Sequence, residues 1–563
     1  DHRDLHSFPT RRSSDLVLRA AVQRLFGTTM LPYPDLANAS FLLNFSADFL
    51  HGWIAPVALA RAYGEFRQGR AGQRGLYYHV GPRLSATAAN ADRWFPITPG
   101  SEGLVALAIA NVLLTEGSIP ADRFGPYLTA LGIDEARLTS DFTPDRVAEA
   151  SGLSAEQIRE LAHALVEHSP AIVLAGTSAA AATNGLFNLV ATFGLNVLLG
   201  SVNQPGGLLL NPEPPLPDLR IPTDAILSER QWADLFEQIR SGSISTVLFY
   251  RANPVYSLPP ALGVADALRS AQHVVSFSPF FDETTQLADL VLPDLAWLEQ
   301  WGLQVPDPGP GYATVAIQQP VVQPFADGRA FGDVLIQLAQ ALGQSLPWGS
   351  QEEANKALAV QLRQISGGSV PGGNDKEFLV NLQAQGGWWS EQIRGSATTP
   401  TTTITSPRDP EFNGDVNQYP YILLPYPLHT LGYGELAHLP WLQALPEPIS
   451  TNVWQTWLEV AQRTADELDL TTGDLVRLTT PQGSVELPVY VNPAAQPGVI
   501  AIPFGQGHTA YGRYAEGRGV NPLTIVAPQT DPDAGTLAWS ATRCRIEKTG
   551  RRVRLARFEG IVP

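Results

Sequence analysis

Apolar residues recur along this chain in two rhythms. Short runs at 40–45 (SFLLNF), 76–80 (LYYHV), 171–175 (AIVLA), 246–250 (TVLFY) and 273–277 (HVVSF) are apolar almost throughout. Such runs predict strands covered on both faces, as in parallel sheets. Between them, helical spacing predicts helices over 103–115, 154–168, 184–199 and 331–342, with Ser154 and Gln157 at capping-box distance. Strands and helices in alternation make a doubly wound α/β body. After about residue 365 the rhythm changes. Glycine-rich 367–373 and the TTPTTTITSP run within 396–415 predict connecting segments. Beyond them, 475–480 and 484–491 predict two strands across a Gln482-Gly483 turn. Residues 499–503 predict another strand and glycine-rich 505–521 a long loop. The expected organisation is an α/β unit over 16–205, a second over 206–365, an irregular linker over 366–414 and a β-barrel-like unit over 415–563.

Composition narrows the function. The chain has 563 residues, 44% hydrophobic and 16% charged, enough for several separate cores. Against 37 Lys and Arg stand 54 Asp and Glu, a net charge of −17, so nucleic acid is not expected as a partner. The single cysteine, Cys544, excludes a disulfide framework, a Cys-ligated zinc site and any iron–sulfur cluster held by this chain. The longest apolar stretch, 104–114, is about half of what a bilayer crossing requires, so no direct membrane span is expected. Residues 1–15 (DHRDLHSFPTRRSSD) lack a signal-peptide core and resemble translated sequencing adapter. They are set aside as a non-native leader, and the native N-terminus is expected to lie upstream.

Four polar segments follow predicted strands: 44–48 (NFSAD), 81–83 (GPR), 251–254 (RANP) and 276–278 (SFS). In open α/β sheets, ligands sit beyond the carboxyl ends of the strands, where backbone N–H groups and helix N-termini face phosphates. No GxGxxG follows any strand, which argues against a nicotinamide dinucleotide enzyme. His429, His438 and His508 are not at metal-ligand spacing, so no metal ligand is assigned. Adjacent Asp282 and Glu283 diverge on most backbones and read as an acidic pair at a helix start. No catalytic residue is assigned from the sequence.

Taken in order, the motifs resemble the molybdopterin oxidoreductase superfamily of the dimethyl sulfoxide reductase type. The resemblance rests on Ala91-Asp92 followed by Pro99-Gly100-Ser101-Glu102, on 196–207 (NVLLGSVNQPGG), and on 251–258 with Asp282-Glu283-Thr284, 288–293 (ADLVLP) and Glu299. In the C-terminal part it rests on 466–476, Gly483, Pro497-Gly498 and 519–522 (GVNP). It implies Rossmann-like doubly wound domains followed by a C-terminal double-psi β-barrel, together cradling bis-(molybdopterin guanine dinucleotide). Carried over by position, Asn44, Ser46, Asp48, Gly81, Arg83, Gly100, Ser101 and Glu102 would face one nucleotide. Asn253 and Ser276 would face the other, with 426–430 (YPLHT, including His429), His508 and Asn521 contributed by the barrel.

The sequence departs from the family where Gly81 replaces the usual Asp before Pro-Arg and where Phe277 follows Ser276 in place of an acidic residue. A charge-assisted hydrogen bond is worth about 1.5–3 kcal/mol, so each loss would weaken nucleotide binding by roughly tenfold or more. The wording of 81–103 is similar to one branch, the molybdopterin-like subunit of alternative complex III. That resemblance implies a fold kept without a working molybdenum site, on the periplasmic face of the bacterial cytoplasmic membrane. Implied partners are iron–sulfur, cytochrome c and integral quinol-binding subunits, with iron–sulfur clusters only in segments outside this chain. The alternative is an active bis-molybdopterin guanine dinucleotide oxidoreductase of the polysulfide or thiosulfate reductase type.

Overall fold

The computed structural model describes residues 9–69, 72–220, 227–397 and 404–558. The first eight residues of the expected leader, 1–8, and the first six of the TTPTTTITSP run, 398–403, lie outside these. A helix spans Pro9–Phe26, and its buried Val17, Leu18, Ala21 and Val22 join the core of the first unit.

That core surrounds a four-stranded parallel sheet in the order Arg93–Phe95, Leu76–Val80, Phe41–Phe45, Ala171–Ala175. Phe41–Phe45 and Ala171–Ala175 are buried at every position, as their unbroken apolar runs require. Helices Glu102–Thr115 and Gly185–Leu199 are apolar all round and buried almost end to end, which marks interior helices. On the outside, Ala155–Glu167 begins with the expected capping box of Ser154 and Gln157.

A second parallel sheet pairs Thr246–Tyr250, His273–Phe277 and Leu290–Val291. Helices Glu229–Arg240 and Val264–Ser270 cover it through Phe236, Ile239, Phe249 and Leu268. An antiparallel sheet of Gly302–Gln304, Tyr312–Gln318 and Gly387–Arg394 then runs on into the stretch expected to be irregular. Within 366–414, Asp375–Gln385 is helical: Asn374 caps its first turn and left-handed Gly386 ends it. Trp388, 1% exposed, anchors the core beneath it.

The C-terminal part is a closed six-stranded barrel. Its strands are Tyr421–Tyr426, Val499–Pro503, Leu458–Ala461, Gly483–Asn492, Asp474–Thr480 and Thr542–Arg552, in that order around the ring. Two pairs are parallel, Tyr421–Tyr426 with Val499–Pro503 and Leu458–Ala461 with part of Gly483–Asn492. Leu423, Leu458, Val476, Val489, Ile500 and the lone Cys544 fill its interior. Among the described residues, no helix is long and apolar enough to cross a membrane.

Candidate functional site: the crevice between sheets and barrel

The carboxyl ends of both parallel sheets face the barrel. Three non-glycine residues directly beyond these strands take left-handed backbone: Ser46 (φ 60°), Thr177 (φ 48°) and Arg251 (φ 47°). Such conformations are costly and cluster at sites where a chain must turn sharply to present a side chain. They mark one crevice with two halves.

In the first half, Asn44, Ser46, Asp48, Gly81, Arg83 and Glu102 come together. The Asn44 amide donates to Ala47 O (2.8 Å) and Tyr77 Oη (3.1 Å), and its oxygen accepts from Ala47 N (3.1 Å). Asp48 accepts from the Ser85 hydroxyl. The Ser46 hydroxyl donates to Glu102 Oε1 (3.2 Å), while Glu102 Oε2 is buried without a partner. Burial pushes the Glu102 carboxyl up to about 7 and the neighbouring His79 imidazole down to about 4. Gly81 is enclosed. A Cβ there would lie 2.8 Å from Ser46 Oγ and 2.9 Å from His79 Nε2.

Arg83 reaches across to the barrel. Its Nε and Nη2 donate to Glu459 Oε2 (3.0 Å) and Oε1 (2.8 Å), and its guanidinium stacks 3.5 Å from the centre of the Tyr426 ring. Tyr426 Oη donates to the same carboxylate at 2.7 Å. Burial opposes both charges, yet each holds the other ionised: the Arg83 value is raised and the Glu459 value lowered. Gly100 (φ 85°) and Ser101 sit just before the helix Glu102–Thr115. Gly100 O accepts from Asn184 Nδ2 (2.9 Å), and Ser101 Oγ donates to Thr98 O (2.7 Å).

In the second half, Asn253 and His508 converge on Glu283, and Asn521 joins them through Tyr256. Asn253 Nδ2 donates to Glu283 Oε2 (2.7 Å), and Thr509 N donates to Oε1 (2.7 Å). His508 Nδ1 lies 3.1 Å from Glu283 Oε1 and Nε2 lies 3.1 Å from Gly434 O. Burial pushes the Glu283 carboxyl up, but His508 and Asn253 outweigh it and hold it at about 2. Tyr256 stacks flat on His508, with centroids 3.7 Å apart, and its carbonyl accepts from Asn521 Nδ2 at 2.7 Å. Ser276 shares a hydrogen bond with Thr285 at 2.8 Å, beside this network. Asp282 and Glu283 do diverge: Asp282 accepts from Thr285 N within its own turn.

His429 lies at a third point, edge-on to His51 with centroids 4.7 Å apart. His51 Nε2 is buried without a partner, and burial lowers that ring to about 4. The space left in the crevice is small. A cavity of ≈ 20 Å³ lies between Ser46, His79, Pro82, Arg83 and Tyr426, and one of ≈ 40 Å³ between Asp48, His51, Thr177 and His429. A roomier one of ≈ 710 Å³ opens elsewhere, between Tyr33, Ile54, Val57 and Asp307. Among the described residues, no group of three or more His, Cys, Asp or Glu side chains is placed to hold a metal ion.

Sequence reasoning missed the partners that hold these residues: His79, Thr177, Glu459 and Tyr256. Glu459 left a signal, since a carboxylate inside the apolar strand LEVA must find a cation when that strand is buried. The others are ordinary residues made special by the fold.

A doubly wound body whose strand ends are closed over by a six-stranded barrel defines the class of fold, a two-part α/β and β-barrel architecture. Residues 12–341 match the molybdopterin oxidoreductase family and 447–542 the molydopterin dinucleotide binding domain. The chain belongs to the molybdopterin oxidoreductase family. It is 28% identical over 532 residues to the menaquinone reductase, molybdopterin-binding-like subunit of Nitratidesulfovibrio vulgaris, covering 91% of this chain and 71% of that one. It is 24% identical to the arsenate respiratory reductase molybdopterin-containing subunit of a Shewanella species (91% and 75% covered). With the thiosulfate reductase molybdopterin-containing subunit of Salmonella typhimurium it shares 23% identity (90% and 74%). In fold it is similar to acetylene hydratase from Pelobacter acetylenicus, with a TM-score of 0.73 at 18% identity over 96% of this chain and 82% of that one.

Proposed function

We propose that this chain is a subunit of a membrane-associated respiratory electron-transfer complex of the quinol-oxidising, alternative complex III type. In this reading the molybdopterin oxidoreductase fold serves as a scaffold without a working molybdenum site. Iron–sulfur, cytochrome c and integral quinol-binding subunits would be its partners, at the periplasmic face of the membrane. The likeness to a menaquinone reductase, molybdopterin-binding-like subunit supports this reading.

The observation that carries the proposal is the closed crevice. A pocket that buries a ligand of ordinary size holds roughly 300–1,000 Å³, against ≈ 20 and ≈ 40 Å³ here. Arg83 is spent on Glu459, Asn253 and His508 on Glu283, and Asn521 on Tyr256. As arranged, these residues do not fit a molybdopterin dinucleotide, and no reaction step is drawn through one. What this chain's residues do instead is join the sheets to the barrel.

A second reading, an active molybdenum reductase, draws on Glu102 Oε2 and His51 Nε2, two buried polar atoms without partners at the crevice that a bound group could engage. Molybdenum and pterin content of the full-length protein, purified with its partners, separates the two. The expected result is iron without molybdenum or pterin. Stoichiometric molybdenum with pterin would overturn the scaffold reading and establish the second.

A further inference from the structure

On the barrel, three segments far apart in sequence, 451–455, 513–518 and 554–558, form one surface. Backbone hydrogen bonds run from Val453 N to Ala556 O and from Phe558 N to Thr451 O, both at 2.9 Å, and Gln455 Nε2 donates to Arg554 O at 3.3 Å. Arg518 joins segment 513–518 to segment 451–455. Its guanidinium lies 4.6 Å from the centre of the Trp454 ring, and its Nε donates to Tyr514 O at 2.8 Å. Arg513 stacks 4.7 Å over the Tyr514 ring and donates to its hydroxyl at 2.7 Å. Arg557 lies 5.2 Å over Tyr490, and Arg554 is exposed.

These segments hold four arginines, one carboxylate (Glu516) and no lysine, on a chain whose net charge is −17. Among the described residues, Arg513, Arg518 and Arg554 form no ion pair. Stacking on an aromatic face orders a guanidinium while leaving in-plane N–H donors for an outside acceptor. Phe558, 66% exposed, stands at the edge. Thr451 (φ 59°) and Trp454 (φ 61°) both hold left-handed backbone, the kind of strain kept where a surface is used.

We infer that this surface docks an acidic segment of a partner protein, with carboxylates gripped by Arg513, Arg518 and Arg554 and an apolar side chain resting on Phe558. Charge decides the occupant. A second copy would set −17 against −17 and face the arginines with arginines. An anionic bilayer presents charge over a plane wider than the patch and so meets the acidic remainder of the chain as well, whereas a short acidic segment stays within the roughly 8 Å over which the patch acts in physiological salt. Arginine, tryptophan and tyrosine, with lysine absent, is also the composition of protein–protein contact centres. The inference is independent of whether the crevice holds a cofactor.

The test titrates the 563-residue chain into a fluorescently labelled deca-glutamate peptide at low salt, beside co-sedimentation with phosphatidylglycerol vesicles. The expected result is peptide binding that weakens about tenfold or more in the triple variant R513Q/R518Q/R554Q. It should not change in R146Q, which alters an exposed arginine on the first unit. Circular dichroism checks the triple variant's fold. Should that variant not fold, exposed R554Q alone is expected to weaken binding by about twofold to threefold. No peptide binding by the unaltered chain, equal binding by the folded variants, or vesicle binding that the variants abolish would each overturn the inference.

Discussion

At the scale of single residues, Arg83 and Glu102 carry opposite consequences of burial. The Glu459 side chain is 1% exposed, so Arg83→Ala leaves a buried carboxylate without its cation. The expected loss is about 3–5 kcal/mol, read from urea denaturation. The double change Arg83→Met with Glu459→Leu should recover much of it, because both charges leave together. On the scaffold function proposed above, assembly and stability should suffer, but quinol oxidation by the assembled complex should not. Glu102 has no such cation. Unfolded, it ionises near its ordinary 4.5; folded, near 7. The unfolded state therefore releases its proton first, and the contribution to stability is full below pH 4.5 and lost as pH rises through 7. The fall is about 3 kcal/mol. Glu102→Gln should be more stable than the unaltered protein above pH 7 and not below pH 4.5, and urea midpoints that run parallel across that range would refute this. Asn44, Ser46, Asp48 and Arg83 were legible as a group because each lies at or just beyond a strand end. Which of them would face inward and which would reach the barrel was not legible, because that depends on residues hundreds of positions away.

At the scale of elements, the turn after Leu76–Val80 shows why restoring a motif need not restore a site. An aspartate at 81 places its Cβ within 3 Å of Ser46 Oγ and His79 Nε2, and both Gly81 backbone groups already bond, to Phe95 O and to Trp94 Nε1. Gly81→Asp should therefore cost about 1–3 kcal/mol by overpacking, and pterin content should stay unchanged. Gained pterin in the purified variant would sink this account. The eight expected strands were readable to within a residue, since an unbroken apolar run has few alternatives to a covered strand, whereas Tyr312–Gln318, Gly387–Arg394, Tyr421–Tyr426 and Leu458–Ala461 were not read. Nor was the helix Asp375–Gln385. Its flanks are rich in glycine and serine, and its order comes from Phe378, Leu382 and the neighbouring Trp388 packing into a distant sheet.

At the scale of the whole molecule, buried polar ties hold three units as one. Arg83 with Glu459 binds the first sheet to the barrel, and Glu283 with His508 binds the second. Unfolding in urea should therefore give coincident transitions by tryptophan fluorescence and by circular dichroism. Combining Arg83→Ala with His508→Ala should split them, as the barrel and the α/β body lose what couples them. Separate midpoints in the unaltered protein would show that the ties are superficial.

The sequence by itself determined the parallel sheets, the barrel, the family and the positions that border the crevice. These follow from local periodicity and from short motifs whose order along the chain can be read directly. Only the tertiary structure decided what those positions do. A carboxylate or guanidinium can serve a ligand or another side chain with equal chemistry, and the choice is made by which groups the fold brings within hydrogen-bond distance. Here it brings Glu459 to Arg83 and Glu283 to His508. It likewise gathers Arg513, Arg518 and Arg557 onto aromatic rings, with Arg554 exposed beside them, a grouping that residue spacing could not reveal because three separate segments supply it.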